Sequence, residues 1–366
     1  MLMNPLRRVD APVGSLDDAP IRFHATIPGY AASPLLEAPQ AAAAIGADRL
    51  FVKLETERFG LPAFKIIGAS WATARAIRDL LIARGHRAPS LDDGFPALVE
   101  AVEPLKPLTL CCATDGNHGR AVARMAAWLG FASRIYVPAD MAPARVAAIA
   151  SEGADVVLLE GTYDDAIARS AEDAADDCLV ISDTSWPGYA DIPQWVIEGY
   201  GTMFTEADKQ LAGARVDVVV IQLGVGALGA ATVPFARRHD ALLIGVEPMV
   251  AACNYVSLEA GEIVYLPGPH DSIMAGLNCG LASEIAWPVV SGHIDIALAI
   301  EDRRAEQAMR LLAKDGIVAG ETGSAGLAGL IAWTERFGGQ LAGKNALIVI
   351  TEGPTNPESY QRIVGS

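Results

Sequence analysis

Basic residues are scarce in this sequence. Over 366 residues, 28 Lys and Arg stand against 44 Asp and Glu, giving a net charge of −16 and a sequence pI of about 4.8. A chain this acidic lacks the positive footprint that a phosphate backbone or an anionic bilayer requires, so neither nucleic acid nor a membrane is an expected partner. Long apolar runs are missing as well. The most hydrophobic stretch, Val216 to Ala236, is interrupted by Asp217, Gln222, three glycines and Pro234, which is the pattern of strand, turn and helix rather than of a membrane span. The opening MLMNPLRRVDAPVG has no apolar core of signal-peptide length, so a cytoplasmic location is expected. Cysteine is sparse: the five residues form no CxxC pair and no His-rich cluster accompanies them, so no metal site is expected. Their default role is that of small buried hydrophobes. Cys253 and Cys279 flank a Gly/Pro-rich stretch, and a bridge between them stays open against the rarity of cytosolic disulfides. HExxH, a Walker lysine and a GxSxG elbow are all lacking, which removes the zinc-peptidase, P-loop and serine-hydrolase classes.

What the chain does have is length and alternation. Its size allows two domains with a large core, and 51% apolar residues with only 6% aromatics suit Ala- and Gly-rich helices packed closely on a sheet. Between residues 105 and 182, four strand-like runs, LTLCCA, RIYV, DVVLL and CLVIS, alternate with amphipathic stretches starting near His118, Ala142 and Tyr163. A second series, VDVVVIQL, ALLIGVE and ALIVIT, alternates with helices near 226–238, 301–314 and 323–337. The expected fold is α/β: two open, mostly parallel twisted sheets flanked by helices, with a smaller domain over 67–195 inserted in a larger one formed by 1–66 and 196–366. Ligands of such sheets bind beyond the carboxyl ends of the strands, so the segments that follow those runs carry the interest.

Three segments, each directly after such a run or at a helix start, carry chemistry. The segment FGLPAFKIIGA, residues 59–69, is a turn that places Lys65 at the start of a helix running to about Leu81. The positive helix end and apolar Phe64, Ile66 and Ile67 both favour a neutral amine, which makes Lys65 a poor salt-bridge residue and a good imine former. The plain alternative is a surface lysine. Thr114-Asp115-Gly116-Asn117-His118-Gly119 follows the strand LTLCCA and opens a helix, where free N–H groups suit a carboxylate; the plain alternative is a helix cap, and for His118 in particular capping competes with catalysis. Gly224-Val225-Gly226-Ala227-Leu228-Gly229 lies between the strand VDVVVIQL and a helix, and would cradle a phosphate. The same letters satisfy GxGxxG, and Glu247 ends the next strand 18 residues past Gly229, so an NAD-dependent dehydrogenase is a rival of a different class. Trp186 and Tyr189 stand open between walling a pocket and packing.

Taken together and in this order, the three segments resemble the fold-type II pyridoxal-phosphate enzymes, the tryptophan synthase β and threonine dehydratase superfamily, over most of the chain. The segments RFGLPAFKIIGASWA, ATDGNHGRAVA, SDTSWPGYADIPQWVIEGY, SIMAGLNCG and TEGPTNP are similar to those of the diaminopropionate ammonia-lyases within it. The resemblance implies pyridoxal 5'-phosphate held as a Schiff base on Lys65, with Asn117 against its ring, Gly224 to Leu228 at its phosphate, and the Thr351 hydroxyl beside the pyridine nitrogen. It implies that Thr114, Asp115, Gly116 and His118 meet the amino-acid substrate. It further implies that Asp115 and Asp183 transfer protons for opposite enantiomers of 2,3-diaminopropionate, which is eliminated to pyruvate and ammonia, and that the enzyme is a homodimer. A serine/threonine-type dehydratase and a β-replacement synthase are the neighbouring alternatives. Pro354 and Asn356 depart from the acids common in the family's tail, TEGDTDP, and a distal substrate ammonium in contact with those acids would lose favourable charge here.

Overall fold

The computed structural model describes residues 1–8, 13, 16–114, 116–161, 163–175 and 177–365. Among these, eleven strands form two sheets. In chain order they are β1 (Leu2–Met3), β2 (Leu35–Glu37), β3 (Arg49–Leu54), β4 (Thr109–Ala113), β5 (Ala132–Pro138), β6 (Asp155–Leu159), β7 (Cys178–Val180), β8 (Val218–Gln222), β9 (Leu242–Pro248), β10 (Ile296–Ile300) and β11 (Asn345–Ile350). The chain divides into two compact units, one of residues 1–16, 32–57 and 203–366, the other of 17–31 and 58–202. Sequence patterning expected breaks at 66/67 and 195/196; the second of these falls inside the helix Asp191–Leu211, whose unbroken helical pattern carries no mark of the boundary.

The first unit is built on a seven-stranded sheet in the order β1-β10-β9-β8-β11-β3-β2. The five inner strands run parallel, and the short β1 and β2 close the edges antiparallel. Strands covered on both faces read as continuous apolar runs, and β8 (VVVIQ) and β11 (NALIVI) are of that kind. The core between the sheet and the helix Ala325–Phe337 holds Val220, Val246, Leu298, Leu327, Ile331 and Ile348. Because β8, β9 and β11 are adjacent and parallel, the residues that follow them, Gly224, Glu247 at the end of β9, and Thr351, gather at one end of the sheet.

Two inner strands escaped the sequence reading for physical reasons. In β3 a charged Lys53 interrupts the apolar run, yet its side chain is wholly buried, donating to the Ser33 carbonyl at 2.6 Å, Glu206 at 2.8 Å and Gln210 at 3.0 Å. In β10 the run IALAI alternates Ile and Leu with Ala, a weak strand signal that tertiary packing completes.

The second unit carries a four-stranded, all-parallel sheet in the order β6-β5-β4-β7. Its helix Asn117–Leu129 buries Ala121, Val122, Met125, Ala126 and Leu129 along one stripe and stops at Gly130 in the left-handed conformation. β4 and β7 are neighbours, so their carboxyl ends bring the loop after Ala113 close to Ser182 and Asp183. On the opposite flank Asp173 is shared by Tyr136, Arg169 and Arg134, the last at 2.9 Å. Burial raises the Asp173 pKa, but the Tyr136 hydroxyl and the two guanidinium groups outweigh it and hold the carboxyl down at about 2.

A carboxyl lowered in the folded state contributes stability that is full above its unfolded value, near 3.9, and is lost as pH falls towards the folded value. Asp173→Asn is therefore expected to lower unfolding free energy at neutral pH by about 1–2 kcal/mol and to flatten its decline between about pH 4 and 2. Denaturant unfolding at a series of pH values measures this; parallel curves for the two proteins would contradict it.

Candidate active site

The chain reaches Lys65 through a tight turn. Arg58 and Leu61 exchange backbone hydrogen bonds at 2.8 and 3.0 Å, with Phe59 and Gly60 at positive φ between them, and the helix Lys65–Ala83 starts without a side-chain cap. The Lys65 ammonium lies 5.5 Å from the centre of the Phe64 ring and 5.9 Å from that of Tyr200. Its side chain is only 27% exposed, so this is not the surface lysine of the plain alternative. One expectation is corrected: Lys65 does form a salt bridge, donating to Asp183 Oδ2 at 2.7 Å. The reason is tertiary, since the end of β7 carries a buried carboxylate to the amine, and no local pattern around residue 65 encodes that.

Asp183 is 6% exposed. Burial pushes its pKa up, but the opposing charges of His118 and Lys65 win and hold the carboxyl well below the usual range, so it is ionised throughout the physiological range. The segment is propped by Tyr189, whose hydroxyl accepts from the Ser182 N–H and donates to the Val180 carbonyl, both at 2.9 Å. Tyr189 also stacks on Trp186 with ring centres 4.0 Å apart. His118 does not cap its helix. Its buried ring places Nε2 at 2.8 Å from the Ile181 carbonyl, which fixes Nε2 as the donor, and turns Nδ1 towards Asp183 Oδ2 at 3.7 Å.

The loop after β4 is shaped from within. Thr114 is buried, and its hydroxyl oxygen accepts from the N–H groups of Gly116 at 3.0 Å and Gly119 at 3.1 Å. Asn117 opens the helix and is half-buried. Asp115 lies outside the described residues. Within this unit the structure thus assembles Lys65, Asp183 and His118 around one carboxylate.

The glycine turn belongs to the other unit. Gly226 stands at φ 104 as the residue before the helix Ala227–Arg238, a conformation that favours glycine, and an added Cβ there would lie 3.3 Å from Ala286 Cβ and from Asn254 Oδ1. The back of the turn is tied down by Asn254, which donates to the Gly224 carbonyl at 2.7 Å. Asn254 and its neighbour Tyr255 in turn engage Glu247: Oε1 accepts from Asn254 N at 2.8 Å and Nδ2 at 3.1 Å, and Oε2 from Tyr255 N at 2.7 Å. Burial pushes the Glu247 carboxyl up to about 7, against the restraining pull of these donors. A dinucleotide site needs that acid for ribose hydroxyls, and both of its oxygens are already engaged at 1% exposure; the dehydrogenase reading fails on this point.

Thr351, just past β11, is 3% exposed, and its oxygen accepts from Gln222 Nε2 at 2.8 Å. Gln222 thereby settles which way the threonine hydroxyl is used: the oxygen receives, which leaves the O–H proton to donate. Such a hydroxyl suits a neutral ring nitrogen. None of the five cysteines is in a disulfide, so Cys253 and Cys279 are not bridged in this structure. Asn356 is exposed, and its side chain caps the helix Pro357–Val364 by accepting from Glu358 N at 3.0 Å and Ser359 N at 3.2 Å. An aspartate would cap equally well, so the departure at 356 falls on a capping position. Sequence reasoning missed Tyr200, Gln222 and Asn254; only for Tyr200, in Gly199-Tyr200-Gly201, did small flanking residues hint at close approach.

The first unit holds a glycine turn suited to a phosphate and a buried threonine hydroxyl, and the second a shielded lysine; each is a residue type that an α/β enzyme with a phosphorylated aldehyde cofactor needs, and the residues present fit pyridoxal phosphate. Residues 27–352 match the family described as pyridoxal-phosphate dependent enzyme. The diaminopropionate ammonia-lyase of Escherichia coli (strain K12) is 32% identical over 363 residues, spanning 94% of this chain and 89% of its own. An L-threo-3-hydroxyaspartate ammonia-lyase from Pseudomonas sp is 28% identical, over 74% of this chain and 82% of its own. The crystal structure of the Escherichia coli diaminopropionate ammonia-lyase in complex with D-serine aligns with a TM-score of 0.88 at 30% identity, covering 99% of this chain and 96% of that one. The chain belongs to the pyridoxal-phosphate dependent enzymes, in the branch of the diaminopropionate ammonia-lyases.

Asn254→Ala removes the donor that ties Gly224 to Glu247 and leaves buried acceptors unsatisfied. Pyridoxal-phosphate affinity, measured by visible absorbance titration of the cofactor-free protein, is expected to fall by about ten- to a hundredfold, the equivalent of a lost buried hydrogen bond. Unchanged affinity would show that the turn keeps its shape without this tie.

Proposed function

We propose that this enzyme eliminates ammonia from 2,3-diaminopropionate, one or both enantiomers, to give pyruvate and two ammonia. The observation that carries the proposal is the Lys65–Asp183 pair: a lysine at a helix start held by a carboxylate kept ionised in a largely buried setting. The similarity to diaminopropionate ammonia-lyases over nearly the whole chain supports the same reading.

Pyridoxal phosphate, when bound, supplies an electron sink for the charge that develops at the substrate α-carbon. Lys65 is the residue to hold its aldehyde carbon, the amides of Gly224, Val225, Gly226, Ala227 and Leu228 to hold its phosphate, Asn117 to face its ring oxygen, and Thr351 to hydrogen-bond its ring nitrogen. A hydroxyl at that nitrogen, rather than a carboxylate, does not force a proton onto the ring, which favours prompt loss of the β-substituent. Asp183 takes the α-proton of one enantiomer at Oδ2, and Asp115 that of the other. Lys65, protonated opposite Asp183, is placed to give a proton to the departing β-amine. Water then hydrolyses the released three-carbon enamine to pyruvate and the second ammonia. Thr114 acts on the substrate indirectly by shaping the loop, while the amides of Gly116 and His118 at the helix start suit the substrate carboxylate.

The acidic composition supports a cytoplasmic enzyme, and no helix among the described residues is long and apolar enough to cross a membrane. Resemblance to the family supports a homodimer, for which light scattering should read about twice 38.4 kDa.

The deciding experiment is a lactate-dehydrogenase-coupled assay of the 2-oxo acid released, pyruvate from D- and L-2,3-diaminopropionate and serine and 2-oxobutyrate from threonine. Lys65→Ala should abolish turnover of all of them. Asp115→Asn and Asp183→Asn should each lose roughly 10²- to 10⁴-fold in kcat on one enantiomer and far less on the other. Equal losses on both enantiomers would overturn the two-base scheme, and a preference for serine or threonine would make the enzyme a dehydratase.

A further inference from the structure

Tyr200 has no place in the chemistry so far, yet its position is tightly specified. The residue is wholly buried, and apart from an interaction with the Lys65 amine its hydroxyl has no hydrogen-bond partner among the described residues. Leaving a buried hydroxyl unpaired costs stability, so a native chain keeps one only where it has a use.

Two glycines put the ring where it is. A Cβ on Gly68 would stand 2.3 Å from Tyr200 Cε1, closer than any side chain tolerates. Gly68 lies three residues beyond Lys65 in the same helix, hence on the same face. A Cβ on Gly199 would stand 2.5 Å from the Ile67 carbonyl oxygen. The backbone around residue 199 therefore approaches the helix Lys65–Ala83 at a distance that only glycine permits, and the neighbouring Tyr200 ring covers the face that bears Lys65. The ring also packs on Phe64, with centres 4.7 Å apart.

We propose that Tyr200 is a positioning residue for Lys65, its hydroxyl donating a hydrogen bond to the unprotonated amine. This rests on the reading of Lys65 as the cofactor lysine. Asp183 can stabilise only the ammonium form, because an ionised carboxylate accepts hydrogen bonds and cannot donate them. An ammonium has no lone pair with which to attack carbon, and Lys65 must attack each time it re-forms its bond to the cofactor. Burial raises the Tyr200 pKa far above the ordinary phenol value, the Lys65 charge opposing this only in part, so the hydroxyl keeps its proton at every working pH. Among the described residues, the charged and titratable groups around Lys65 are Asp183, with His118 and Cys112 behind it, and Tyr200. Among the described ones, Tyr200 is the group that can donate to a neutral amine without gaining charge.

The test is Tyr200→Phe, which removes one oxygen and keeps the ring. In the cofactor-free protein, the rate of Lys65 acetylation by acetic anhydride is followed by mass spectrometry as a function of pH. Loss of a donor to the neutral amine should raise the midpoint of this profile by about half a unit to one unit. Gly68→Ala, which displaces the ring but keeps the hydroxyl, should raise it too. In the holoenzyme, kcat for the preferred substrate should fall at least about tenfold with KM changed less than about threefold, and the pH dependence of kcat should move in the same direction as the labelling profile. A thermal midpoint equal to or above that of the wild type shows that the fold is kept. A labelling midpoint that stays put or falls in a folded Tyr200→Phe protein overturns the inference, even if activity drops. The parent reading fails separately, and visibly, if the wild-type protein neither takes up pyridoxal phosphate nor releases pyruvate.

Discussion

The constraint on which the site depends is the ion pair between Lys65 and Asp183. A buried carboxylate is costly unless it is compensated, and Asp183 is compensated by two groups, the Lys65 ammonium and the imidazole of His118. The pair exists because β7 ends beside β4 and because Tyr189 props the segment that leaves it. It also sets a problem that the rest of the pocket must solve. A carboxylate at 2.7 Å keeps a lysine protonated, which suits proton donation and opposes attack on carbon. A lysine that does both needs a second, neutral partner, and the Tyr200 ring over Gly68 offers one.

The first unit, built on the seven-stranded sheet, solves its part of the task by different means. The glycine turn is held from behind, through the chain Gly224, Asn254 and Glu247, so the amide groups at the helix start need no side chains to position them. Gln222 supplies Thr351 with one hydrogen bond and so determines how that hydroxyl uses its remaining capacity, whereas Tyr189 acts on Asp183 only through the backbone, by bonding Ser182 and Val180. The groups proposed to act in catalysis are oriented by neighbours that need not touch substrate.

Much of this was legible in the chain itself. The α/β class and the strands β4 to β9 and β11 follow from apolar runs with helical periods between them, the 114–119 loop and the 224–229 turn from glycine and polar residues placed directly after such runs, and Lys65 from its place at a helix start. β3 and β10 were not legible, since Lys53 breaks one run and alanine dilutes the other. The GxGxxG letters with Glu247 pointed equally well to a dinucleotide, and only the three hydrogen bonds to that carboxylate decide against it. Asn356, which by sequence is a lost charge near the substrate, is a helix cap on the surface.

The sequence by itself determined what depends on neighbours a few residues away: strand and helix type, the glycine that admits a positive φ at 226, and the lysine that begins a helix. The tertiary structure alone decided what depends on residues a hundred or more positions apart. Asp183 reaches Lys65 across 118 residues, Gln222 reaches Thr351 across 129, and the Tyr200 ring meets Gly68 across a gap that no local period reports. Protonation state and hydrogen-bond direction are properties of such encounters. They arise when burial removes water and leaves each group only the partners that the fold supplies.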